Sequence, residues 1–181
     1  HSERPDIAKV LFPLLLQSGC KLYGYLSTEY IKDMGTPGRL SAVEHDILSG
    51  KVESLKQTSK KKALFLDRDG VLNQDVDYIS GPEQLELIPG VGKAVRKANL
   101  AGILVVVATN QPVVARGELT EAGLQIIHNK LDTLLGIDGA YIDRLYYCPH
   151  HQDGGFDGEV VELKANCSCR KPKPGLLFQA A

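Results

Sequence analysis

The sequence predicts an α/β protein built on an open parallel sheet, preceded by a small α/β segment. Three observations predict it. From Ala63 onward, short apolar runs alternate with amphipathic helical stretches, the pattern of parallel strands joined by helical crossovers. Residues 103–108 form a continuous, mostly β-branched run, as expected for a strand buried on both faces. The polar motifs fall just behind the strands, where such sheets bind ligands.

In chain order, Ile7, Val10, Leu11, Leu14 and Leu15 are spaced for a helix over 7–17, with Gly19 as its stop. Residues 21–27 alternate and are rich in tyrosine, which predicts a short strand. Thr36-Pro37 predicts a helix start, with Thr capping and Pro in the first turn. That helix runs through Val43 and Ile47 to Gly50. Residues 51–62 are polar, end in Lys60-Lys61-Lys62 and read as a surface segment, with a linker at 58–62. The chain is therefore expected to divide into a segment 1–57 and a domain 63–181. Within the latter, 63–66 is a strand and 89–100 an amphipathic helix closed by Gly102. The strand 103–108 follows, then a helix over 120–135 with Leu124, Ile127, Leu131 and Leu134 on one side, then a strand at 142–147.

The chain has 181 residues, 43% hydrophobic and 24% charged, the composition of an ordinary globular protein. A net charge of −1 gives no electrostatic footprint for nucleic-acid binding. No apolar run approaches the roughly 18 residues a membrane span needs. The start, His1-Ser2-Glu3-Arg4, has no initiator Met and no signal-peptide architecture. With three of the four cysteines in a metal-like cluster, a reducing, cytoplasmic setting is expected.

The most informative motif is Asp67-Arg68-Asp69-Gly70-Val71, directly behind Ala63-Leu64-Phe65-Leu66. Two carboxylates one residue apart at a strand mouth suit attack on phosphorus by one and proton handling by the other. They repel a phosphate dianion, so the arrangement calls for a cation, and Mg²⁺ fits as a hard ion taking oxygen ligands. A polar turn is the alternative. Thr109-Asn110-Gln111 offers a hydroxyl and backbone N–H groups to a phosphoryl oxygen, against an ordinary polar loop. Lys171, within Arg170-Lys171-Pro172-Lys173-Pro174-Gly175, is suited to neutralising the phosphoryl group, against a solvated basic loop. Cys148, His150, Cys167 and Cys169 form two closely spaced pairs. Three thiolates and an imidazole suit tetrahedral Zn²⁺ in a closed, structural site that would pin the loop 153–166. Reduced surface cysteines or a disulfide are the alternatives, and His151 is expected outside the ligand set.

In this order, D-x-D-G-V, T-N-Q and R-K-P-x-P-G resemble the haloacid dehalogenase superfamily of phosphatases. With Leu72-Asn73, Ala115-Arg116-Gly117, Tyr147-Cys148-Pro149-His150-His151 and Cys167-Ser168-Cys169, the string is similar to the D-glycero-D-manno-heptose 1,7-bisphosphate phosphatases, kin of the histidinol-phosphate phosphatases. The resemblance covers about 63–181 and implies a Rossmann-like sheet. It implies Asp67 as nucleophile, Asp69 as general acid/base, and Thr109 and Lys171 as phosphoryl contacts. Mg²⁺ would be held by the Asp67 carboxylate and the Asp69 backbone carbonyl. Asn110, Gln111, Arg116 and Arg170 would be substrate contacts, with a solvated loop arginine the alternative for Arg116. The implied substrate is a phosphorylated sugar losing its C7 phosphate; histidinol phosphate and a non-catalytic zinc-stabilised module are the alternatives. Pro112-Val113 departs from the Ser-Gly usual in heptose phosphatases. The superfamily's fourth motif, a Gly-Asp pair followed by an acid, is expected after the helix beginning near Gly175, so the domain is expected to be cut before it.

The first segment carries another resemblance. Lys21-Leu22-Tyr23-Gly24-Tyr25 and Tyr30-Ile31-Lys32-Asp33-Met34-Gly35-Thr36-Pro37 resemble the end of the catalytic domain of sugar-phosphate nucleotidyltransferases, with Met34 a minor departure. This implies that Asp33 stands at that family's metal-binding position. The family's Gly-rich nucleotide-binding part is absent from the sequence. The implied parent is a fused enzyme that dephosphorylates a sugar bisphosphate and activates the product with a nucleotide.

Overall fold

The structure is a computed structural model and describes residues 6–24, 27, 29–56 and 58–181. The chain divides into two compact units between Lys60 and Lys61.

In the first unit a π-helical turn, Ile7–Leu11, runs into helix α1, Phe12–Gln17. The expected continuous helix thus begins one class wider, with the Asp6 carboxylate accepting from the Lys9 N–H at 2.8 Å. Residues 21–24 and 27 are not in a strand, and Tyr25 and Leu26 lie outside the described residues. No strand lies among the described residues of this unit to pair with them, and alternation alone does not hold a strand. Helix α2, Pro37–Leu48, starts as the sequence predicts, with Pro37 in the first turn and the Thr36 hydroxyl accepting from the Arg39 N–H. The polar stretch after it holds a short helix α3, Lys51–Leu55, entered through Gly50 at φ 75°. Asp46, on α2, is buried and accepts from Tyr30 Oη at 2.8 Å and Lys32 Nζ at 3.0 Å. Those two groups hold its carboxyl down at about 2.

The second unit is a three-stranded parallel sheet in the order β1 (Ala63–Leu66), β2 (Leu104–Asn110), β3 (Arg144–Cys148). Helix α4, Val91–Leu100, leads into β2, and α5, Glu121–Ile137, leads into β3. Thr120 caps α5 by accepting from the Gly123 N–H at 3.0 Å. The short helix α6, Gly175–Ala180, comes last.

Strand period 2 sorts the core. Val105 and Val107 pack with Val95 and Ala98 of α4 and with Ile127, Leu131 and Leu135 of α5. Ala108 points the other way, with Cys148, Cys169 and Leu176 of α6. Full burial of each large aliphatic is worth about 1.5–3 kcal/mol, which makes the α4/α5 layer the main source of stability. β2 is buried from Val105 to Thr109, as its continuous apolar run predicts. β1 pairs with β2 and lies at the sheet's edge, leaving Leu64 and Phe65 about 40% exposed. No helix among the described residues is long and apolar enough to cross a membrane.

Candidate active site and metal centre

All three parallel strands deliver polar side chains at their carboxyl ends. Asp67 follows the last residue of β1, Thr109 and Asn110 end β2, and Cys148 ends β3. Beyond β1 the chain turns through Gly70, at φ 72°, where the Gly70 N–H bonds the Asn73 carbonyl at 2.9 Å. That tight turn sets Asp67 and Asp69 over one cleft of about 270 Å³. Its walls include Asp75, Asp77, Tyr78, Thr109, Asn110, Gln111, Pro112, Arg170 and Lys171.

Lys171 Nζ lies 2.5 Å from Asp67 Oδ2, and the other Asp67 oxygen accepts from the Arg68 N–H at 2.8 Å. The basic loop is tied to β2 by a reciprocal pair. Asn110 Nδ2 donates to the Lys171 carbonyl at 3.2 Å, and the Lys171 N–H donates to Asn110 Oδ1 at 2.9 Å. Asn110 thus spends its amide on holding Lys171. Gln111, nearly fully buried, donates to Asp69 Oδ2 at 2.8 Å and to Thr109 Oγ1 at 2.9 Å.

Asp69 is gripped from several sides. Arg68, 1% exposed, donates through Nε to Oδ1 and through Nη2 to Oδ2, both at 3.0 Å, and Asn73 Nδ2 donates to Oδ1 at 3.0 Å. Behind Arg68 stands His128 of α5, its Nε2 3.4 Å from Arg68 Nη1 and its ring 5.6 Å from that of Tyr147. Burial, then the Arg68 guanidinium, pushes the His128 imidazole down to about 4 against the opposing pull of Asp69. An unfolded histidine takes its proton near pH 6.5, so the stability this group contributes is complete above that pH. It is lost as pH falls to about 4, roughly 3 kcal/mol in all. The expected result is a urea midpoint that declines over that window, with a shallower decline in His128→Gln. An identical decline in the variant would assign the effect to other groups.

The second feature is the sulfur cluster. Cys148, His150, Cys167 and Cys169 place one ligand atom each within 4.8 Å of one another. Cys169 Sγ is 3.2 Å from Cys148 Sγ and 3.3 Å from His150 Nδ1, and Cys148 Sγ is 3.5 Å from Cys167 Sγ. All four cysteines of the chain are free thiols, which removes the disulfide alternative. Burial, then the Cys169 thiol, pushes the Cys148 thiol up. The group fits a soft tetrahedral cation that would replace those thiol protons. His151 stands apart from the cluster, its Nδ1 accepting from the Asp153 N–H at 3.2 Å.

Arg170 donates to the His150 carbonyl at 3.1 Å while lining the cleft, so it links the two centres. Arg116 sits differently from the other sequence-selected residues. Its guanidinium is stacked between the rings of Tyr78, at 4.4 Å, and Phe156, at 4.6 Å, with Nη2 3.3 Å from His151 Nε2. Gly117 allows this approach, since a Cβ there would lie 1.9 Å from the Gly158 carbonyl oxygen. In the first unit Asp33 is exposed and accepts from the Gly35 N–H at 2.9 Å and from Arg39. Residues that sequence reasoning did not single out are Arg68, Asn73 and His128 behind Asp69, and Asp75, Asp77 and Tyr78 in the cleft wall. The alternating acids of Asp75-Val76-Asp77, just beyond the motif, were a signal for the latter. The role of His128 left none.

Four carboxylates line the cleft, Asp67, Asp69, Asp75 and Asp77, against Arg170 and Lys171 once Arg68 is committed to Asp69. An all-oxygen donor set with excess negative charge suits a hard divalent cation.

No protein-family model matches the chain. Among curated proteins, it is 42% identical over 120 residues to a D-glycero-β-D-manno-heptose-1,7-bisphosphate 7-phosphatase of Pasteurella multocida, covering 66% of this chain and 62% of that protein. The same named enzyme of Escherichia coli K12 is 42% identical over 118 residues, 65% of this chain and 60% of that protein. The chain thus spans about three fifths of the length of these relatives. A crystal structure of a D,D-heptose 1,7-bisphosphate phosphatase from B. bronchiseptica, complexed with magnesium and phosphate, superposes with a TM-score of 0.57. It is 38% identical and covers 66% of this chain and 62% of that one. The parallel sheet and its strand-end cleft therefore form a haloacid dehalogenase-like phosphatase fold, similar in sequence and structure to heptose bisphosphate phosphatases.

Proposed function

We propose that the chain carries a magnesium-dependent phosphomonoesterase that removes the C7 phosphate of D-glycero-D-manno-heptose 1,7-bisphosphate. The observation that carries this reading is the Asp67–Lys171 pair at 2.5 Å, set at a strand mouth beside Asp69 and Thr109. The names of the relatives support the sugar. In the first half-reaction an Asp67 oxygen forms a bond to phosphorus while the ester P–O bond breaks, and Asp69 gives its proton to the leaving alkoxide. Lys171 and Thr109 bind the phosphoryl oxygens as charge redistributes. In the second, water attacks the acyl phosphate, its proton goes to Asp69, and Asp67 is regenerated as inorganic phosphate leaves. Magnesium, when bound by the Asp67 carboxylate and the Asp69 backbone carbonyl, supplies the positive charge that lets a dianion approach two acids.

Zinc at Cys148, His150, Cys167 and Cys169 would close the loop between the pairs and fix Arg170 and Lys171, which follow the last ligand. Asn110 and Gln111 serve the site by holding Lys171 and Asp69 respectively. Arg116 and Arg170 are the candidates for recognising the rest of the substrate. The first unit is read as the end of a sugar nucleotidyltransferase-like domain, with Asp33 at its metal position, fused to the phosphatase in one parent. That pairing favours a sugar over histidinol phosphate, since a nucleotidyltransferase takes a sugar 1-phosphate. The free thiols accord with a cytoplasmic setting.

Phosphate release from heptose bisphosphate, histidinol phosphate and p-nitrophenyl phosphate tests the reading. Preference for histidinol phosphate would remove the heptose and keep the phosphatase; no release from any would leave a non-catalytic zinc-stabilised module. Arg170→Ala is expected to raise KM for heptose bisphosphate by tens to a hundredfold, the worth of about 1.5–3 kcal/mol for one charge-assisted contact, and to change p-nitrophenyl phosphate little. Equal losses on both substrates would assign Arg170 to the transferred phosphoryl group.

A further inference from the structure

We infer that Arg68 and His128 are positioning residues that hold Asp69 in the pose used to deprotonate the attacking water. The inference rests on the phosphatase reading above.

Arg68 occupies the middle of the D-x-D motif, where a side chain has no obligation to the chemistry. At a strand mouth the easier course for a long cation is to snorkel into solvent. It is instead 1% exposed and folds back on its own neighbour. Its planar fork meets both Asp69 oxygens, a geometry lysine does not reproduce. Burying a guanidinium is costly unless its donors are used. Two go to Asp69, and Nη1 turns inward to His128. Since a guanidinium only donates, His128 Nε2 accepts, and its proton sits on Nδ1. The depressed basicity of His128 keeps that acceptor available through neutral pH. His128 is itself buried in α5 beside Tyr147, so the grip on Asp69 is anchored in the core, 60 residues away in sequence.

Counting Asn73 and Gln111, N–H donors from three side chains converge on the two Asp69 oxygens. A carboxylate so gripped is held in one orientation in the cleft, as a group that must meet the attacking water needs to be. That matches the second half-reaction, in which the water oxygen bonds to phosphorus, its proton passes to Asp69, and the P–O bond to Asp67 breaks with its electron pair returning to Asp67. Loss of Arg68 or of its anchor should therefore slow acyl-phosphate hydrolysis more than acyl-phosphate formation from an ester with a good leaving group. Such an ester needs no proton donor to form the acyl phosphate.

The test is rapid mixing of Arg68→Met, His128→Leu and His128→Gln with p-nitrophenyl phosphate, with thermal melts to establish folding. Arg68→Met and His128→Leu are expected to lose roughly ten- to a hundredfold in kcat with little change in KM. Both should show a burst of p-nitrophenolate stoichiometric with enzyme, followed by slow turnover, and the acid-trapped protein should carry phosphate on Asp67. His128→Gln keeps an oxygen acceptor for Arg68 Nη1 and should restore near-wild-type rates without a burst. If folded His128→Leu lost activity with no burst, or His128→Gln behaved like His128→Leu, the positioning role would be overturned. If wild-type protein released no phosphate from any ester, the phosphatase reading would fall first and carry this inference with it.

Discussion

Asp67→Asn is expected to abolish phosphate release while leaving the fold intact. The carboxylate sits directly behind β1 and is paired with Lys171, the geometry on which its proposed role as nucleophile rests. An amide has neither the charge nor the nucleophilicity to form the acyl phosphate, and loss of a nucleophile costs roughly 10⁴-fold or more in kcat. Stability should barely move. Asp67 is 39% exposed on its side chain and Lys171 31%, and an ion pair that open is worth about 1 kcal/mol at most. The variant should also shed its electrostatic penalty on phosphate and bind substrate at least as well. Retention of more than about a tenth of wild-type turnover, a barrier change near 1.4 kcal/mol, would show that another group attacks.

The second large effect is expected at the sulfur cluster, whose four side chains are proposed to hold zinc. Elemental analysis of purified protein should find about one zinc per chain. Chelation or Cys169→Ser should lower the melting temperature and expose residues 153–166 to proteolysis. Structural zinc in small domains contributes about 10–16 kcal/mol of binding free energy. Here the α4/α5 core is independent of the cluster, so the expected loss is confined largely to the loop and to α6, which packs on Cys148 and Cys169. Activity should fall in parallel, because Arg170 and Lys171 follow Cys169 directly. Protein lacking zinc as purified, with an unaltered melt after Cys169→Ser, would make the four residues an ordinary thiol cluster.

Much of the sheet was legible because its signals are local. β2 announces itself as a β-branched run, and Thr36-Pro37 announces the helix that Thr36 caps. The Cys₃His grouping was legible from spacing, since short pairs restrict where the side chains can go. Other features depend on partners far away in the chain. Alternation at 21–27 suggested a strand, but a strand needs a neighbour, and the described residues of that unit contain none. The helix Lys51–Leu55 is too polar for its periodicity to stand out. The burial of Arg68 is decided by His128, and the stacking of Arg116 by Phe156 in a Gly-rich loop. A basic side chain in a sequence carries no mark of whether water or a ring will surround it.

The stacked guanidinium of Arg116 makes two distant segments share one cation. Tyr78 belongs to the cleft wall and Phe156 to the loop between the cysteine pairs, and each ring gains its contact only while the other holds the arginine in place. The Arg116 Nε is buried without a hydrogen-bond partner, so the two rings and the single Nη2–His151 Nε2 contact hold the guanidinium. Contacts of this kind fail together. The loop and the cleft wall should therefore open as a single cooperative foldon, with amide protons on both sides of the ring–cation–ring stack exchanging at one common rate.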